Sequence, residues 1–447
     1  MSRKTFGDYA RLGRRVHIGS RVVIRSTVAG LIGTAMIVGG GSMAWAGGPS
    51  QASAPTPVAA TVKAAAAKAA AAKVTAAKAA AKAAAAKAAA AKVAAAKVAA
   101  AKVAAAKVAA ARAAAASVKV APLTQPPVGV QFHGLWSSYT DAQRGAILDQ
   151  LRAAGVTSVR IDLSWIMIQP NGPGSYDAWG VGFADKVIAM ANARGMKPLM
   201  TLWLTPAWAN GGAGDRVLPT NPGDYARAAQ WAATRWRGKV VGWEIWNEEN
   251  DPGFMTGGDP VAYVGLLKAA YPALHAGDPA AAVVFGGLQY NDTTWLTRAY
   301  DAGAAGYFDV MATHPYQGIA DADPATPDDG TMWTLTHAAA VHALMVARGD
   351  GAKPIWFTEM GWSTHVNAVG TPNWLRGVSE ATQAAYLSKT AALVGTTMPY
   401  VTRMYWYADR DTTTGDIEYN NFGLFRLDLT AKPAMAALAT SNALAVQ

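Results

Sequence analysis

The sequence predicts an α/β protein in which residues 129–447 fold as a (β/α)8 TIM barrel. Eight strand-like segments alternate with eight helix-like segments over about 320 residues, which is the element order of such a barrel. Polar side chains also recur where nearly every predicted strand ends. Because active sites of (β/α)8 enzymes lie at the carboxyl ends of the strands, this second pattern predicts an enzyme.

The predicted strands are short apolar runs, as expected for parallel strands that are buried on both faces. They cover residues 129–133, 158–163, 198–204, 240–246, 282–287, 310–314, 354–359 and 403–407. The predicted helices cover residues 141–154, 184–194, 225–237, 261–276, 294–304, 334–348, 380–394 and 432–444. Gly155 and Gly195 directly follow two of these helices, where glycine favours helix termination.

The positive charge of the chain is concentrated near its N-terminus. Residues 1–120 hold 19 of the 40 Lys and Arg with Asp8 as their only acid, so the net charge of +11 describes that part. Residues 121–447 hold the remaining 21 Lys and Arg together with 28 Asp and Glu, so this part of the chain is mildly acidic. It shows no excess of basic residues of the kind that is typical of nucleic-acid binding. The chain has no cysteine, which excludes disulfides, thiolate metal sites and a cysteine nucleophile.

Residues 1–46 are predicted to be an export signal peptide. Arg and Lys precede an apolar run at about 27–43, and A-W-A at 44–46 fits a cleavage site. An uncleaved membrane anchor is the alternative, since the run is nearly long enough to span a bilayer. We therefore expect a secreted or cell-envelope protein. Residues 47–61 form a linker rich in Gly, Pro and Ser.

Residues 62–118 are almost entirely Ala with Lys at a period near five, and neither Gly nor Pro interrupts them. Ala and Lys favour helix, and the lysines spiral around it without leaving an apolar stripe, so we expect a single exposed helix. Two interpretations stay open. The helix is either a semi-rigid spacer or a cationic arm that binds anionic cell-wall polymers or a membrane surface. A nucleic-acid partner is not expected beside an export signal. Residues 119–128 form a second linker.

Two of the predicted strands end on glutamate. Residues 240–250 read V-V-G-W-E-I-W-N-E-E-N and deliver Glu248 directly after Asn247. Residues 354–364 read P-I-W-F-T-E-M-G-W-S-T and deliver Glu359. Glycoside hydrolysis needs two carboxyl groups that face one glycosidic bond. The two glutamates therefore suggest a glycosidase.

The motifs W-N-E at 246–248 and T-E-M-G at 358–361 resemble those of the large clan of retaining glycoside hydrolases with (β/α)8 barrels. Within this clan, the E-I-W-N-E run from Glu244 and the T-P-x-W run from Thr205 are most similar to family 39. That family includes β-xylosidases and bacterial exopolysaccharide hydrolases. The resemblance covers residues 129 to about 445.

The resemblance implies that Glu248 is the acid/base, with a raised pKa, and that Glu359 is the nucleophile, which must stay ionised. In a retaining site their carboxyl groups lie roughly 5–5.5 Å apart. The alternative is that both are salt-bridge partners of the barrel. Two neighbours compete with Glu248: Glu244 is expected to be a buried partner of a basic group such as Arg160, and Glu249 a loop residue.

Six further residues are expected to bind substrate: Arg160, Asn247, His314, Tyr316, Trp208 and Trp406. By resemblance, Arg160 and the phenol of Tyr316 contact the nucleophile, and Asn247 binds the sugar 2-hydroxyl. The alternatives are a structural ion pair of Arg160 with Asp162 or Glu244, a strand-end cap at Asn247, and packing at the barrel rim for Tyr316. His314 is either a site residue or a core histidine.

The aromatic residues of this set are expected to contact the sugar faces, because a flat indole stacks on the C–H face of a pyranose. The resemblance makes Trp406 the platform below the catalytic subsite, and Trp208 is expected in the cleft wall; core packing is the alternative. Two departures from the clan are visible. Glu249-Asn250 stands where many relatives have Pro-Asn, and Trp203 lies in the region of a frequent histidine.

We therefore expect an exported, monomeric, retaining glycoside hydrolase that cleaves β-linked polysaccharides or oligosaccharides. The sequence contains no spacing typical of a metal site or phosphate-binding loop, so neither a metal nor another cofactor is expected. The alternative from a different class is a non-catalytic glycan-binding or wall-attached protein that uses the barrel and the cationic helix for adhesion. In a third hypothesis, the Ala/Lys helix is the functional part and the barrel is an accessory.

Overall fold

The computed structural model of the protein describes residues 125–413 and 416–445, together with six isolated positions that are helical and exposed: 68, 78, 82, 84, 87 and 92. The predicted signal peptide, the first linker, most of the second linker and the rest of the Ala/Lys helix lie outside the described residues. Those assignments stay predictions. Among the helices that are described, none is both long and apolar enough to cross a bilayer.

In the described part of the chain, nine parallel strands form one sheet. They are β1 Val128–Gln131, β2 Val159–Ser164, β3 Leu199–Trp203, β4 Gly242–Ile245, β5 Ala282–Val284, β6 Leu288–Gln289, β7 Met311–His314, β8 Ile355–Met360 and β9 Val401–Trp406. Their order in the sheet is β5-β4-β3-β2-β1-β9-β8-β7-β6. Each predicted strand is found within a few residues of its expected bounds, but the fifth is split into β5 and β6.

Helices follow the strands along the chain. They are α1 Asp141–Ala153, α2 Trp165–Ile168, α3 Ala178–Asn192, α4 Ala207–Asn210, α5 Pro222–Arg235, α6 Pro260–Gly277, α7 Thr293–Asp301, α8 Ala338–Ala347, α9 Glu380–Thr397 and α10 Pro433–Ala445. The eight longer ones correspond to the predicted helices, and the one-turn helices α2 and α4 were not predicted. Gly155 and Gly195 adopt left-handed φ values of 77° and 71° where the first two predicted helices end.

The split of the fifth strand lies where the two ends of the sheet meet. β5 is at one end of the sheet and β6 at the other, although they are consecutive in the chain. Isolated bridges pair Val284 with Val310 and Asn247 with Gly287. This arrangement is consistent with the predicted (β/α)8 barrel.

Two glycines between β5 and β6 make room for side chains of the neighbouring strands. A Cβ on Gly286 would lie 2.0 Å from Glu249 Oε2, and a Cβ on Gly287 would lie 2.1 Å from His314 Nε2. Any larger residue would therefore displace one of these side chains. The Gly287 carbonyl also accepts a hydrogen bond from the Glu248 N–H at 3.0 Å. The break thus positions residues at the carboxyl ends of β4 and β7.

The sheet separates two apolar layers. The smaller cluster comes from the strands and their ends: Leu199, Val284, Val310, Ala312, Trp356 and Tyr405. The larger cluster joins the other strand faces to the helices and includes Trp406. Because successive side chains on a strand point to opposite faces, Tyr405 and Trp406 fall in different layers.

Candidate active site

Arg160, on β2, is the fully buried centre of a polar network. Its Nε donates to Glu244 Oε2 at 2.7 Å and its Nη2 donates to Asn247 Oδ1 at 2.7 Å. Its Nη1 donates to Gln131 Oε1 at 2.8 Å and to Glu359 Oε1 at 2.6 Å. Side chains from β1, β2, β4 and β8, or from just beyond their ends, therefore converge on one guanidinium group.

The charge of Arg160 is balanced by carboxylates. Burial lowers the pKa of Arg160, but Glu244 and Glu359 outweigh this effect, so its pKa is raised and the group stays cationic. The Thr201 hydroxyl also donates to Glu244 Oε2 at 2.5 Å. The expected contact with Glu359 and the structural ion pair with Glu244 therefore exist together.

Glu359 lies on β8 with both carboxylate oxygens occupied. Oε1 accepts from Arg160, and Oε2 accepts from the Tyr316 hydroxyl at 3.0 Å. Burial raises the pKa of Glu359, and Glu248 adds to this effect, whereas His314 and Arg160 act in the opposite direction; the net shift is upward. Its cationic and hydroxyl partners are those that an ionised nucleophile requires.

Glu248 follows β4 and is almost completely buried. Its backbone is left-handed, with φ 47°, a conformation that costs about 1–3 kcal/mol for a residue other than glycine. Its Oε1 lies 3.0 Å from His314 Nδ1, and its Oε2 accepts from Gln289 Nε2 at 3.2 Å. The kinked backbone thus turns this carboxyl group towards β6 and β7.

His314, at the end of β7, lies between the two glutamates. Its Nδ1 is 3.0 Å from Glu248 Oε1 and 3.7 Å from Glu359 Oε2, and its Nε2 is 3.1 Å from Thr358 Oγ1. Burial lowers the pKa of His314, but Glu359 and then Glu248 outweigh it, so the pKa is raised. The two carboxyl groups beside the imidazole therefore favour its protonated form.

One oxygen of Glu248, one oxygen of Glu359 and one ring nitrogen of His314 lie within 4.8 Å of one another. Such atoms are also close enough to bind a metal ion. However, Glu359 already accepts hydrogen bonds on both oxygens from Arg160 and Tyr316. We therefore interpret the cluster as a proton-sharing network.

Tyr316 and Asn247 lie in this network as well. Burial, with Glu359 as the next contribution, raises the pKa of Tyr316 well above its ordinary value, so its hydroxyl remains a donor to Glu359. Asn247 is buried and its Oδ1 accepts from Arg160, so the guanidinium fixes the orientation of the amide. The structure thus brings together Arg160, Asn247, Glu248, His314, Tyr316 and Glu359.

Trp406 does not line the site, which corrects the expected sugar platform. The side chain is fully buried in the layer between the sheet and the helices. The alternation of strand side chains explains the error, because Tyr407, one residue later, faces the other way. The Tyr407 ring lies 6.5 Å from Tyr316 and 5.5 Å from His133. Tyr407, and not Trp406, therefore lies beside Tyr316, which donates to Glu359.

Trp208, expected in the cleft wall, lines a separate pocket of about 430 Å³ that includes Tyr176, Trp231 and Arg227. Its indole Nε1 donates to the Gln169 carbonyl at 2.9 Å. None of the residues lining this pocket belongs to the polar network of Arg160, Glu248 and Glu359. The structure therefore separates Trp208 from the network around Arg160.

Glu249 follows Glu248 in a turn, as predicted, but it is fully buried. Neither of its carboxylate oxygens has a hydrogen-bond partner. Burial raises the pKa of Glu249 well above its ordinary value, and Glu244 and Glu248 add to this effect. Where many relatives have proline, this chain therefore buries a carboxyl group that has no hydrogen-bond partner.

Sequence reasoning missed Gln131, Thr358 and Tyr407 as members of the site, whereas Gln289 belongs to the polar residues expected where the strands end. Gln131 is the last residue of β1, so the expectation that functional residues lie at strand ends could have identified it. Thr358 directly precedes Glu359, and its contact with His314 depends on the pairing of β7 with β8.

A family model described as Cellulase (glycosyl hydrolase family 5) matches residues 121–408. A search of curated protein sequences found no match.

Several solved structures are similar to the chain. A family 39 glycoside hydrolase from the gut symbiont Bacteroides cellulosilyticus WH2 is 25% identical, with a TM-score of 0.55 over 73% of this chain and 65% of that one. A GH39 enzyme from Xanthomonas axonopodis pv. citri is 20% identical, with a TM-score of 0.56 over 72% and 67%. A monomeric β-xylosidase from Caulobacter crescentus CB15 is 18% identical, with a TM-score of 0.53 over 71% and 69%.

The chain thus spans about two thirds of the length of these structures. The last two likenesses show the fold alone. Together with the family model, the comparisons confirm the predicted resemblance to the retaining clan, with family 39 among the structural neighbours.

Proposed function

Since the chain belongs to the cellulase family, glycosyl hydrolase family 5, we propose that it is a retaining glycoside hydrolase that cleaves β-glycosidic bonds by double displacement. Glu359 is the nucleophile and Glu248 is the acid/base. The observation that supports this proposal most strongly is the approach of the two carboxyl groups, whose nearest oxygens lie within 4.8 Å. Retaining sites hold these groups roughly 5–5.5 Å apart, whereas inverting sites need about 6.5–9.5 Å for a water molecule.

In the first step, an oxygen of the Glu359 carboxylate attacks the anomeric carbon. The bond from that carbon to the leaving oxygen breaks, and its electron pair stays on the oxygen. The oxygen takes the proton of the Glu248 carboxylic acid, so the aglycone leaves as an alcohol. The result is an ester between Glu359 and the sugar.

In the second step, water attacks the same carbon from the side that the aglycone has left. The Glu248 carboxylate takes a proton from this water, and the ester bond breaks to return the Glu359 carboxylate. Two inversions give net retention. Both glutamates finish in their starting protonation states.

The neighbours of the two glutamates suit these roles. Arg160 and Tyr316 donate to Glu359 at 2.6 and 3.0 Å, which stabilises the carboxylate as nucleophile and as leaving group. His314 contacts Glu248 at 3.0 Å and keeps the exchangeable proton within the cluster. Glu248 is almost completely buried, and the Gln289 amide donates to its Oε2 at 3.2 Å, which holds the carboxyl group in place.

The test is a panel of aryl β-glycosides and β-linked polysaccharides, assayed with the wild-type protein and with Glu248→Gln and Glu359→Gln. We expect both substitutions to lower kcat by about 10³-fold or more, because each removes a group that acts in both steps. Nuclear magnetic resonance of the first product formed should show the β-anomer.

Glu380→Gln is the matched control. Glu380 is the first residue of α9, and its partly exposed carboxylate forms an ion pair with Arg426. It should leave turnover unchanged. Unaltered activity in both site variants, or an α-anomer as first product, would contradict the proposal.

The non-catalytic alternative is not favoured. A glycan-binding barrel has no need for two carboxyl groups held at this separation by an arginine, a tyrosine and a histidine.

We also propose that the protein is exported, with residues 1–46 removed, and that it acts as a secreted or cell-envelope monomer. N-terminal sequencing of the exported protein should begin at Gly47; an intact N-terminus would indicate an anchor instead. For the Ala/Lys helix, deletion of residues 59–118 should leave turnover of soluble substrate intact. If the helix is a cationic arm, the deletion also abolishes binding to anionic polymer.

A further inference from the structure

We propose that Trp333 and Tyr290 form a sugar-binding subsite on the leaving-group side of Glu248. The substrate is then an oligosaccharide or polysaccharide with at least one neutral sugar beyond the scissile bond. This inference rests on the proposed function, because Glu248 defines the leaving-group side only as the acid that protonates the departing oxygen.

Two contacts, made by the consecutive residues Gln289 and Tyr290, connect the acid/base with Trp333. The Glu248 Oε2 accepts from Gln289 Nε2 at 3.2 Å. Tyr290 is the next residue, and its ring centroid lies 4.5 Å from that of Trp333 at an interplanar angle of 69°. Tyr290 is also one of the few described residues other than glycine whose backbone is left-handed, with a φ of 57°. The indole therefore contacts the residue that directly follows Gln289, the hydrogen-bond donor to Glu248.

The backbone around Trp333 is fixed on both sides. The Asn291 N–H donates to the Met332 carbonyl at 3.2 Å, and Asn291 Nδ2 donates to the Thr334 carbonyl at 2.8 Å. The Gly318 N–H donates to the Trp333 carbonyl at 2.8 Å. A Cβ on Gly318 would lie 2.7 Å from the Trp333 Cβ, so only glycine fits beneath it.

Despite this fixation, Trp333 is 46% exposed. A large apolar side chain that stands on a fixed backbone, packs against the Tyr290 ring and is left in water is a partly preorganised contact surface, since ordering it on binding costs less entropy. The loop after β7 carries Trp333, so the exposed indole lies at the carboxyl end of the barrel strands, where the active site is.

The chemistry of the subsite points to a neutral sugar. The indole and the phenol ring offer apolar faces for the C–H face of a pyranose, and the Gln289 amide can bind a hydroxyl group. An aromatic platform supplies affinity without selecting one hydroxyl pattern. It therefore favours polymeric or oligomeric substrates over simple glycosides.

The experiment compares Trp333→Ala with the wild-type protein on two kinds of substrate. Cello-, manno- and xylo-oligosaccharides of two to five units place a sugar on the leaving-group side, whereas the corresponding β-glycosyl fluorides place only fluoride there. We expect kcat/KM to fall about tenfold on the oligosaccharides, as for the loss of one aromatic contact, with no change on the fluorides. An equal effect on both kinds, or none on the oligosaccharides, would overturn the inference.

Trp179→Ala is the matched control. Trp179 is 61% exposed in the first turn of α3 and contacts Phe183, so it tests for the loss of an exposed tryptophan as such. It should behave as wild type on both substrates.

A binding measurement separates this inference from the proposed function. Calorimetric titration of Glu248→Gln protein with cello-, manno- and xylopentaose should give a Kd for at least one of them, weakened about tenfold by the added Trp333→Ala change. If the wild-type protein hydrolyses none of the fluorides and none of the oligosaccharides, that result contradicts the proposed function. Pentaose binding that is absent, or unchanged by Trp333→Ala, would contradict the subsite whatever the turnover.

Discussion

The two carboxyl groups of the site lie in opposite surroundings. Glu359 lies within strand β8, whose pairing with β9 shifts register between Phe357 and Met360, and it accepts from a guanidinium group and a phenol. Glu248 stands on a kinked backbone after β4 and contacts an imidazole and an amide. The first half of the site fixes a negative charge, and the second half surrounds a proton that must move.

The backbone follows the same division. Left-handed φ values occur at Trp246, Glu248 and Tyr290, all on the Glu248 side, whereas no such residue flanks Glu359 in the described chain. Strain of this kind persists only where the surroundings enforce it, and it is concentrated at functional sites. The nucleophile thus lies on a strand without left-handed residues, and the acid/base on one of two kinked segments that meet at the break between β5 and β6.

The largest expected loss of activity and stability comes from Arg160→Met, which changes the surroundings of Glu359. The substitution leaves Glu359 and Glu244 without their cation in a buried site, so we expect turnover below detection. Chemical denaturation should show a loss of about 3–5 kcal/mol in the free energy of unfolding. Arg235→Met, which removes a surface ion pair with Asp185, should cost no more than about 1 kcal/mol. Similar losses in both variants would remove the distinction between the network and an ordinary ion pair.

Tyr316→Phe is next in size. Loss of the hydroxyl that donates to Glu359 should lower kcat by about 10²-fold, the effect of removing one preorganised donor. Steady-state kinetics measure this loss. The control is Tyr400→Phe, in the turn before β9, which should leave kcat unchanged. A wild-type kcat in Tyr316→Phe would show that the phenol only packs.

On the Glu248 half, Gln289→Leu should have a smaller effect on rate. The amide donates to the Glu248 carboxylate, so its loss disfavours the ionised form and raises the pKa of the acid/base. The alkaline limb of the pH profile of kcat/KM should therefore move upward, with a loss of about tenfold at the optimum. A downward shift would mean that Gln289 stabilises the protonated acid.

The smallest effect on turnover is expected from Glu249→Gln, which instead changes stability. The raised pKa of Glu249 means that the native state keeps a proton that the unfolded state releases above about pH 4.3. The protonated Glu249 therefore contributes its full share to the free energy of unfolding below that pH. As the pH rises, this contribution falls by up to about 1.4 kcal/mol per pH unit. Unfolding midpoints of the variant and wild type should agree near pH 4 and diverge towards pH 7, with the variant higher. Parallel curves would mean that Glu249 is ionised in the native protein.

The order of strands and helices was predictable because apolar periodicity and glycine punctuation are local signals. Arg160, Glu248 and Glu359 were predictable as well, since each lies within a strand or directly after the end of one. The face of Trp406 was not, because a shift of one residue in the strand register reverses every side chain. The burial of Glu249 depends on Gly286, which is distant in sequence and lies in a strand break that no local pattern indicates.

The most direct test of the central claim is to trap the covalent intermediate. A 2-deoxy-2-fluoro β-glycoside with a good leaving group slows hydrolysis of the ester, so that the labelled protein can be digested and its peptides sequenced by mass spectrometry. The division between the two halves predicts one sugar per protein, attached to Glu359, and no label in Glu359→Gln. A sugar attached to Glu248, or turnover that proceeds without any covalent label, would contradict it.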